Sequence, residues 1–197
     1  PGADTDGSWE FQQENVKNYE IGGKFALADG AAELNVAVFR SDFTDMQTSQ
    51  FDGSLSFNVT NAGEARVQGI EVDGRWALTD NLLVRGGVSY LDFEYLKFPN
   101  GQCAFGQTPT SGSSCDQTGM RREFVPEYQG NVGVDYDINF ANGWKIASTL
   151  DFIFNSGYFT TPSLDARFEQ SSYNKVNARI ALSGVDEKWE LALVGKN

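Results

Sequence analysis

The feature that most constrains the fold of this chain is a two-residue alternation of apolar and polar side chains. It is clearest from residue 131 to 138, where the apolar positions are Val132, Val134, Tyr136 and Ile138 and the intervening positions are Asn131, Gly133, Asp135 and Asp137. Successive side chains of a β-strand point to opposite faces, so this segment has one apolar face and one polar face. After the tight turn 141–143, the alternation resumes from Trp144 to Asn155. An outer-membrane β-barrel requires this arrangement, with apolar side chains toward lipid and polar side chains toward the lumen.

The same alternation predicts about eight strands, joined in turn by tight turns and long polar segments. Besides the two strands just described, the predicted strands are Val16–Leu27, Ala32–Phe43, Val67–Leu78, Leu82–Tyr95, Lys175–Leu182 and a last strand from Trp189. The predicted tight turns are 28–30, 79–81, 141–143 and 184–187, and the predicted long loops are 44–66, 96–127 and 159–173. Bacterial outer-membrane barrels have short periplasmic turns and long extracellular loops, so the first strand is predicted to run inward from the outside.

We expect these strands to be an interior slice of a larger barrel. A small complete barrel begins and ends in the periplasm and usually ends in an aromatic residue, whereas this chain ends in Gly195-Lys196-Asn197. Eight strands with two unpaired edges are also unsuited to lipid, because no water is present to satisfy the free backbone groups. The fold class is therefore predicted to be all-β, a fragment of an antiparallel transmembrane β-barrel.

Composition excludes several classes of protein. The 197 residues include 15 Lys and Arg against 27 Asp and Glu, a formal net charge of −12, which argues against a nucleic-acid partner. No apolar run approaches the roughly 20 residues that a membrane-spanning helix needs. The aromatic content of 13% suits girdles at two membrane interfaces. The alternatives are an acidic secreted or surface protein and a soluble β-barrel binding protein with its apolar face inside.

The two cysteines, Cys103 and Cys115, lie in one loop rich in Gly, Ser and Thr. A close pair in such a loop predicts a local disulfide formed in an oxidising compartment. The alternatives are two free thiols or half of a metal site, and zinc is disfavoured because the chain has no His and no further Cys. The segment Asp4-Thr5-Asp6-Gly7 begins like a calcium loop but lacks the distal Glu, so neither a metal nor a cofactor is predicted.

Four stretches of the chain resemble recurrent strands of TonB-dependent outer-membrane receptors. They are VKNYEIGGK from Val16, NVAVF from Asn35 followed by Asp42 and Asp45-Met46-Gln47, NAGEARVQGIEV from Asn61, and WELALVGKN from Trp189. The third stretch is the most diagnostic, and all four occur in the order that the family has. The resemblance covers nearly the whole chain and is weakest in the loops.

The resemblance implies that residues 1–197 are part of one β-barrel domain of roughly 22 strands with a plugged lumen, the plug domain and final strand being absent. It implies an outer-membrane transporter that imports a scarce nutrient, foremost a ferric siderophore, with oligosaccharide or cobalamin as alternatives. The expected partners are the inner-membrane TonB complex acting through the plug, outer-membrane lipid and lipopolysaccharide, and a small-molecule ligand. A passive porin-like or structural barrel, with no plug and no energy coupling, is the alternative.

Several loop residues are candidates for ligand binding. Arg121 and Arg122 follow the cysteine loop, and their guanidinium groups match the oxyanions of an anionic ferric siderophore or an acidic sugar. Phe105 and Tyr158 lie near loop bases, where they would stack on an aromatic ligand or a sugar ring. The alternatives are arginines that anchor loop carboxylates or lipopolysaccharide phosphates, and aromatic residues that belong to the outer girdle.

The polar strand faces predict a lumen wall, and catalysis finds no support. Residues on these faces include Glu71, Asp73, Arg75, Asp135, Asp137, Asp151 and Arg179, and ordinary solvation explains them. Without His, neither a Ser–His–Asp nor a Cys–His arrangement is possible in this segment, so it is not predicted to be an enzyme.

Overall fold

Eight strands form one sheet in which sequential strands are neighbours and all pairs are antiparallel. The computed structural model describes residues 12–51, 57–185 and 188–197. The strands are β1 (Asn15–Leu27), β2 (Ala32–Phe51), β3 (Phe57–Thr79), β4 (Leu82–Lys97), β5 (Tyr128–Asn139), β6 (Lys145–Asn155), β7 (Tyr173–Ser183) and β8 (Glu190–Gly195). Strands β1 and β8 are the two edges of the sheet. The prediction of about eight antiparallel strands is confirmed.

The connections after β4 and β6 are long and lie at one end of the sheet, and short turns lie at the other end, as the sequence predicts. The short connections include the 3₁₀ turn Ala28–Gly30, and residues 186 and 187 of the last predicted turn lie outside the described residues. At the opposite end, the connection after β4 contains the short strand pair Gly101–Gln102 and Ser114–Cys115. The connection after β6 contains the strand pair Tyr158–Phe159 and Glu169–Gln170, with the 3₁₀ turn Ala166–Phe168 between them.

No helix among the described residues is long and apolar enough to cross a membrane.

The prediction of a long loop over residues 44–66 is wrong, because β2 and β3 continue as a paired hairpin as far as Phe51 and Phe57. Only residues 52–56 connect the two strands, and they lie outside the described residues. The strand extensions are mostly polar, so the apolar alternation that reveals a lipid-facing strand is missing there. The pairing is also interrupted by a bulge around Met46, next to Asp45 at φ +54°, which breaks the two-residue period.

One face of the sheet is apolar and exposed. On β5, Val132, Tyr136 and Ile138 are exposed on this face, and they pair with Phe152 of β6, Leu82 of β4 and Ile146 of β6, respectively. In the interior of the sheet, Ile70 on β3 is 45% exposed and Val132 on β5 is 47% exposed on this face. Large exposed apolar surfaces are destabilising in water but stable in contact with lipid.

The opposite face carries polar side chains that bond across neighbouring strands. Arg85 on β4 donates to Asp135 on β5 at 3.0 Å and to Asp151 on β6 at 2.8 Å. Further hydrogen bonds between neighbouring strands run from Arg75 to Glu33, from Asn35 to Asp73 and from Thr149 to Asp135. Ion pairs join Lys145 to Asp137 and Arg179 to Glu190. The residues predicted to form a polar wall therefore lie on one face, and most of them are bonded to a neighbouring strand.

Aromatic pairs mark both ends of the apolar face. Tyr90 and Tyr128 lie 5.0 Å apart between ring centroids near the long loops, and Trp144 and Trp189 lie 5.4 Å apart near the short turns. Strand β5 has 12 residues. At ~3.3 Å per residue and a tilt of ~45°, such a strand spans about 28 Å, close to the ~25 Å apolar band of outer-membrane barrels.

Candidate functional site

The buried apolar cluster of the described residues lies at the long-loop end, on the face that is polar elsewhere. It consists of Met46, Ala65, Phe93, Tyr95 and Phe98. Phe93 and Tyr95 point inward from β4 and meet edge to face at 5.0 Å, and Phe98 lies 4.7 Å from Tyr95. The cluster is buried because the connection after β4 folds back beside this strand.

The returning part of that connection continues the pairing of β4 beyond β5. The Tyr95 N–H donates to the Met120 carbonyl at 2.8 Å, and the Gly119 N–H donates to the Tyr95 carbonyl at 2.7 Å. The Leu91 N–H likewise donates to the Glu127 carbonyl at 2.8 Å. The connection is thus an ordered structure that extends the sheet.

The predicted disulfide is present within this connection. Cys103 and Cys115 are bonded, with their Cα atoms 4.9 Å apart, and Cys115 is fully buried. The bond joins the two arms of the connection beside the short strand pair that contains Cys115. No group of three His, Cys, Asp or Glu suited to a metal ion occurs among the described residues, while the segment 4–7 lies outside them.

Two connections meet at this end, and we call residues 98–127 and 156–172 together the loop pair. The Phe124 N–H donates to the Phe159 carbonyl at 2.8 Å. The buried Gln117 side chain donates to the carbonyls of Gln102 and Pro162, both at 2.8 Å, and thereby bridges the two loops. The contacts place aromatic and charged side chains of both loops on one surface.

A buried carboxylate connects the aromatic residue of one loop to the arginine of the other. Asp165 is only 6% exposed, accepts from the Phe105 N–H at 3.0 Å, and accepts from the Arg167 backbone N–H and guanidinium. The Arg167 guanidinium carbon lies 4.2 Å from the centroid of the Phe105 ring and 5.6 Å from that of Phe168. The hydrogen bonds from the Arg167 side chain and from the two backbone N–H groups hold the pKa of the Asp165 carboxyl well below its ordinary value.

The predicted ligand-binding residues all lie in the loop pair. The two arginines are paired with carboxylates, and the two aromatic residues contact other side chains. Arg121 donates to Glu127 at 2.8 Å, and Arg122 lies 4.0 Å from Glu123, so both guanidinium groups have a carboxylate partner in their own loop. Phe105 is 82% exposed and stacks on Arg167, and the half-buried Tyr158 contacts Phe124 at 6.3 Å between ring centroids. Among the described residues, no hydrogen bond or ring contact joins either arginine to Phe105 or Tyr158.

Sequence patterns did not indicate a role for Asp165, Arg167, Gln117 or Phe124. An Asp and an Arg two residues apart in a polar loop look like any solvated pair, and the Phe105 partner of Asp165 is 60 positions away. Phe124 has φ +59° although it is a bulky residue, and it is 63% exposed. Such strained conformations persist only where surrounding contacts enforce them, and they cluster at functional sites.

Comparison with known proteins identifies the family. The family model described as "TonB dependent receptor-like, beta-barrel" matches residues 2–197. The metal-pseudopaline receptor CntO of Pseudomonas aeruginosa is 28% identical over 168 residues, which are 85% of this chain and 21% of the receptor. The ferrichrome outer membrane transporter/phage receptor of Escherichia coli K12 is 26% identical over 188 residues, which are 94% of this chain and 21% of the transporter. This chain therefore spans about a fifth of the length of these curated relatives.

Solved structures show the same fold. The crystal structure of the siderophore receptor PiuA from Acinetobacter baumannii matches 91% of this chain and 23% of its own, with a TM-score of 0.66 and 21% sequence identity. At this identity the likeness establishes the fold alone. The outer-membrane β-barrel predicted from the alternation of side chains and the family resemblance are both confirmed. The chain belongs to the TonB-dependent receptor-like β-barrel family, a family of outer-membrane transport receptors.

Proposed function

We propose that the whole protein containing this chain is a TonB-dependent receptor that imports a ferric siderophore or a similar metal chelate. The observation that carries the proposal is an ordered loop pair, with exposed aromatic and guanidinium groups, at the open end of a wall of this family. The names of two relatives support the nature of the cargo, since one is a metal-pseudopaline receptor and the other a ferrichrome transporter.

Arg121 and Arg122 are proposed to bind oxyanions of the ligand. Each guanidinium carries five N–H donors and, among the described residues, pairs with one carboxylate, so donors remain for a second anion. Both side chains are about 40% exposed, which leaves them accessible from the extracellular side. A planar guanidinium binds two oxygens of a carboxylate or catecholate in a defined geometry, which favours specific recognition.

Phe105 and Tyr158 are proposed to contact the apolar part of the ligand. One face of the Phe105 ring packs on Arg167, and the high exposure of the side chain leaves the other face open. An exposed aromatic ring on an ordered loop offers a large contact area with little loss of conformational entropy on binding. Uptake would then follow from loop capture, transfer to the plug and energy supplied by the inner-membrane TonB complex.

The proposal is tested with the full-length receptor in its own cells. Outer membranes from iron-starved cells should contain several-fold more of this protein than those from iron-replete cells. Uptake of radioactive iron as a ferric siderophore should saturate and should stop when a protonophore removes the membrane potential. Uptake that continues without energy would overturn the proposal in favour of a passive porin, and an absence of iron uptake would point to another cargo.

The arginine assignment is tested with the double variant Arg121→Gln/Arg122→Gln. We expect its affinity for an anionic ferric siderophore to fall about tenfold, which corresponds to about 1.4 kcal/mol. The matched control is Arg40→Gln, because Arg40 pairs with Asp42 on β2, away from the loop pair. Equal affinities of the double variant, the control and the wild type would exclude a role for Arg121 and Arg122.

A further inference from the structure

The two loops of the loop pair share a small interior of their own. Three residues in it are nearly inaccessible to solvent, Cys115 and Gln117 from the first loop and Asp165 from the second. Burial of a polar group is unfavourable unless its hydrogen bonds are made, and the Asp165 carboxylate and the Gln117 amide group both have such partners. The interface between the loops is therefore specific rather than a chance contact of exposed segments.

Asp165 lies at the centre of this interface. Its Oδ2 atom accepts from the Phe105 N–H of the first loop, and both carboxylate oxygens accept from the Arg167 side chain of its own loop. Residue Leu164, directly before it, has φ +52°. This left-handed conformation is unfavourable for a bulky side chain, so surrounding contacts, those of Asp165 among them, must stabilise it.

The first loop is also constrained internally, because Phe105 is only two residues from the disulfide-bonded Cys103. A disulfide narrows the range of conformations that the chain between its cysteines can adopt. The backbone N–H that bonds to Asp165 therefore belongs to a segment that the disulfide holds in place. A continuous path of bonds runs from the disulfide through Phe105 and Asp165 to Arg167.

We propose that Asp165 is a positioning residue that couples the two loops into one cooperative unit and transmits the constraint of the disulfide to the second loop. Release of Asp165 removes the partner of Phe105 and the support of Arg167 together, so these parts of the two loops open as one unit, while the bonds from Gln117 to Pro162 and from Phe124 to Phe159 remain. The coupling is a property of the free receptor. Only its consequence for the ligand, through the position of Phe105, rests on the proposed function.

The test is hydrogen exchange of the full-length receptor, read by mass spectrometry for peptides of the two loops. With Asp165→Ala, we expect exchange to accelerate at least about tenfold in both loops, at residues 103–107 as well as at 164–168. The matched control is Asp116→Ala, since, within the part of the chain that the structure describes, Asp116 accepts hydrogen bonds from the nearby Thr118 alone. The control is expected to change exchange only around residue 118.

Reduction of the disulfide separates coupling from a purely local role. In the wild type, reducing Cys103–Cys115 should accelerate hydrogen exchange at residues 164–168. In Asp165→Ala, the same reduction should change the exchange rate of residues 164–168 by less than about twofold. Acceleration confined to the second loop in Asp165→Ala, or an equal response of both proteins to reduction, would overturn the proposal. If Asp165→Ala fails to reach the outer membrane, Asp165→Asn retains one acceptor oxygen and should show the same pattern with a smaller change. None of these measurements uses a ligand, so they decide the coupling even if the proposed cargo is wrong.

Discussion

At the scale of single residues, the stretch from Asn61 to Ala65 shows why a family motif has its particular residues. The Asn61 side chain donates to the carbonyls of Asp45 and Gln12 and accepts from the Gln12 N–H at 3.0 Å. It therefore makes the hydrogen bonds that a backbone amide makes in a paired strand. Ala65 is fully buried in the apolar cluster. The resemblance of this stretch to the family was visible in the sequence. The structural cause of this resemblance was not visible in the sequence, because the residues that Asn61 contacts lie 16 and 49 positions away.

Gly63 in the same stretch is expected to tolerate no side chain. Its φ is +120°, and a Cβ atom there would collide with the Lys97 carbonyl oxygen. We predict that Gly63→Ala lowers the free energy of unfolding by at least about 1–3 kcal/mol, the range of such backbone strain. The temperature at which the full-length barrel loses its heat-modifiable mobility on gels measures the effect.

Asp165 makes the loop pair sensitive to acid but not to mild pH changes. Its pKa is lowered in the folded loops, so its contribution to stability is fully present above the ordinary Asp pKa of about 3.9. That contribution declines as the pH falls below this value toward the lowered pKa of the folded state. We predict that protease cleavage within residues 156–172 is equal at pH 7 and pH 5 and increases below about pH 4. Increased cleavage already at pH 5 would contradict this assignment.

At the scale of elements, the sequence predicts the strands that contact lipid, because lipid contact imposes their side-chain pattern. It does not predict the segments outside the membrane, whose structure depends on other contacts. Strands β4 to β7 could be placed within three residues at each end, because their apolar residues must face lipid at every second position. The hairpin extension beyond Phe43 was missed because both of its faces are largely polar. The loop pair was missed because its hydrogen bonds join residues 45 and 60 positions apart, and no local pattern encodes such contacts.

Two adjacent residues of β5 give a matched test of the two faces. Val132 lies on the lipid face and is exposed there, while the neighbouring Asn131 faces the lumen. We predict that Val132→Arg destabilises the full-length barrel by about 2–4 kcal/mol, the effect of Arg near the bilayer midplane. Asn131→Arg should change stability by less than about 1 kcal/mol, since it adds the charge to a hydrated wall. Chemical denaturation in lipid vesicles measures both, and equal effects would contradict the assignment of the faces.

At the scale of the whole molecule, the sheet is a wall with lipid on one side and a polar lumen on the other. The polar face is held together by ion pairs such as Arg85 between Asp135 and Asp151, which span three neighbouring strands. The apolar face has aromatic pairs at both membrane boundaries. The architecture could be predicted from the repeated alternation of apolar and polar side chains, and family membership from the four stretches that resemble the family. The arrangement of the loops follows from contacts that only the structure reveals.

The most direct test of this account is the environment of consecutive positions of β5 in the full-length receptor in lipid. Each position from 131 to 138 is replaced singly by a spin-labelled Cys, with the native disulfide intact, and its collisions with oxygen and with a water-soluble nickel chelate are measured. The account predicts that positions 132, 134, 136 and 138 collide mainly with oxygen, which concentrates in lipid, and that the odd positions collide mainly with the nickel chelate. A reversed pattern, or one without a two-residue period, would contradict the claim that this chain is a wall of an outer-membrane barrel.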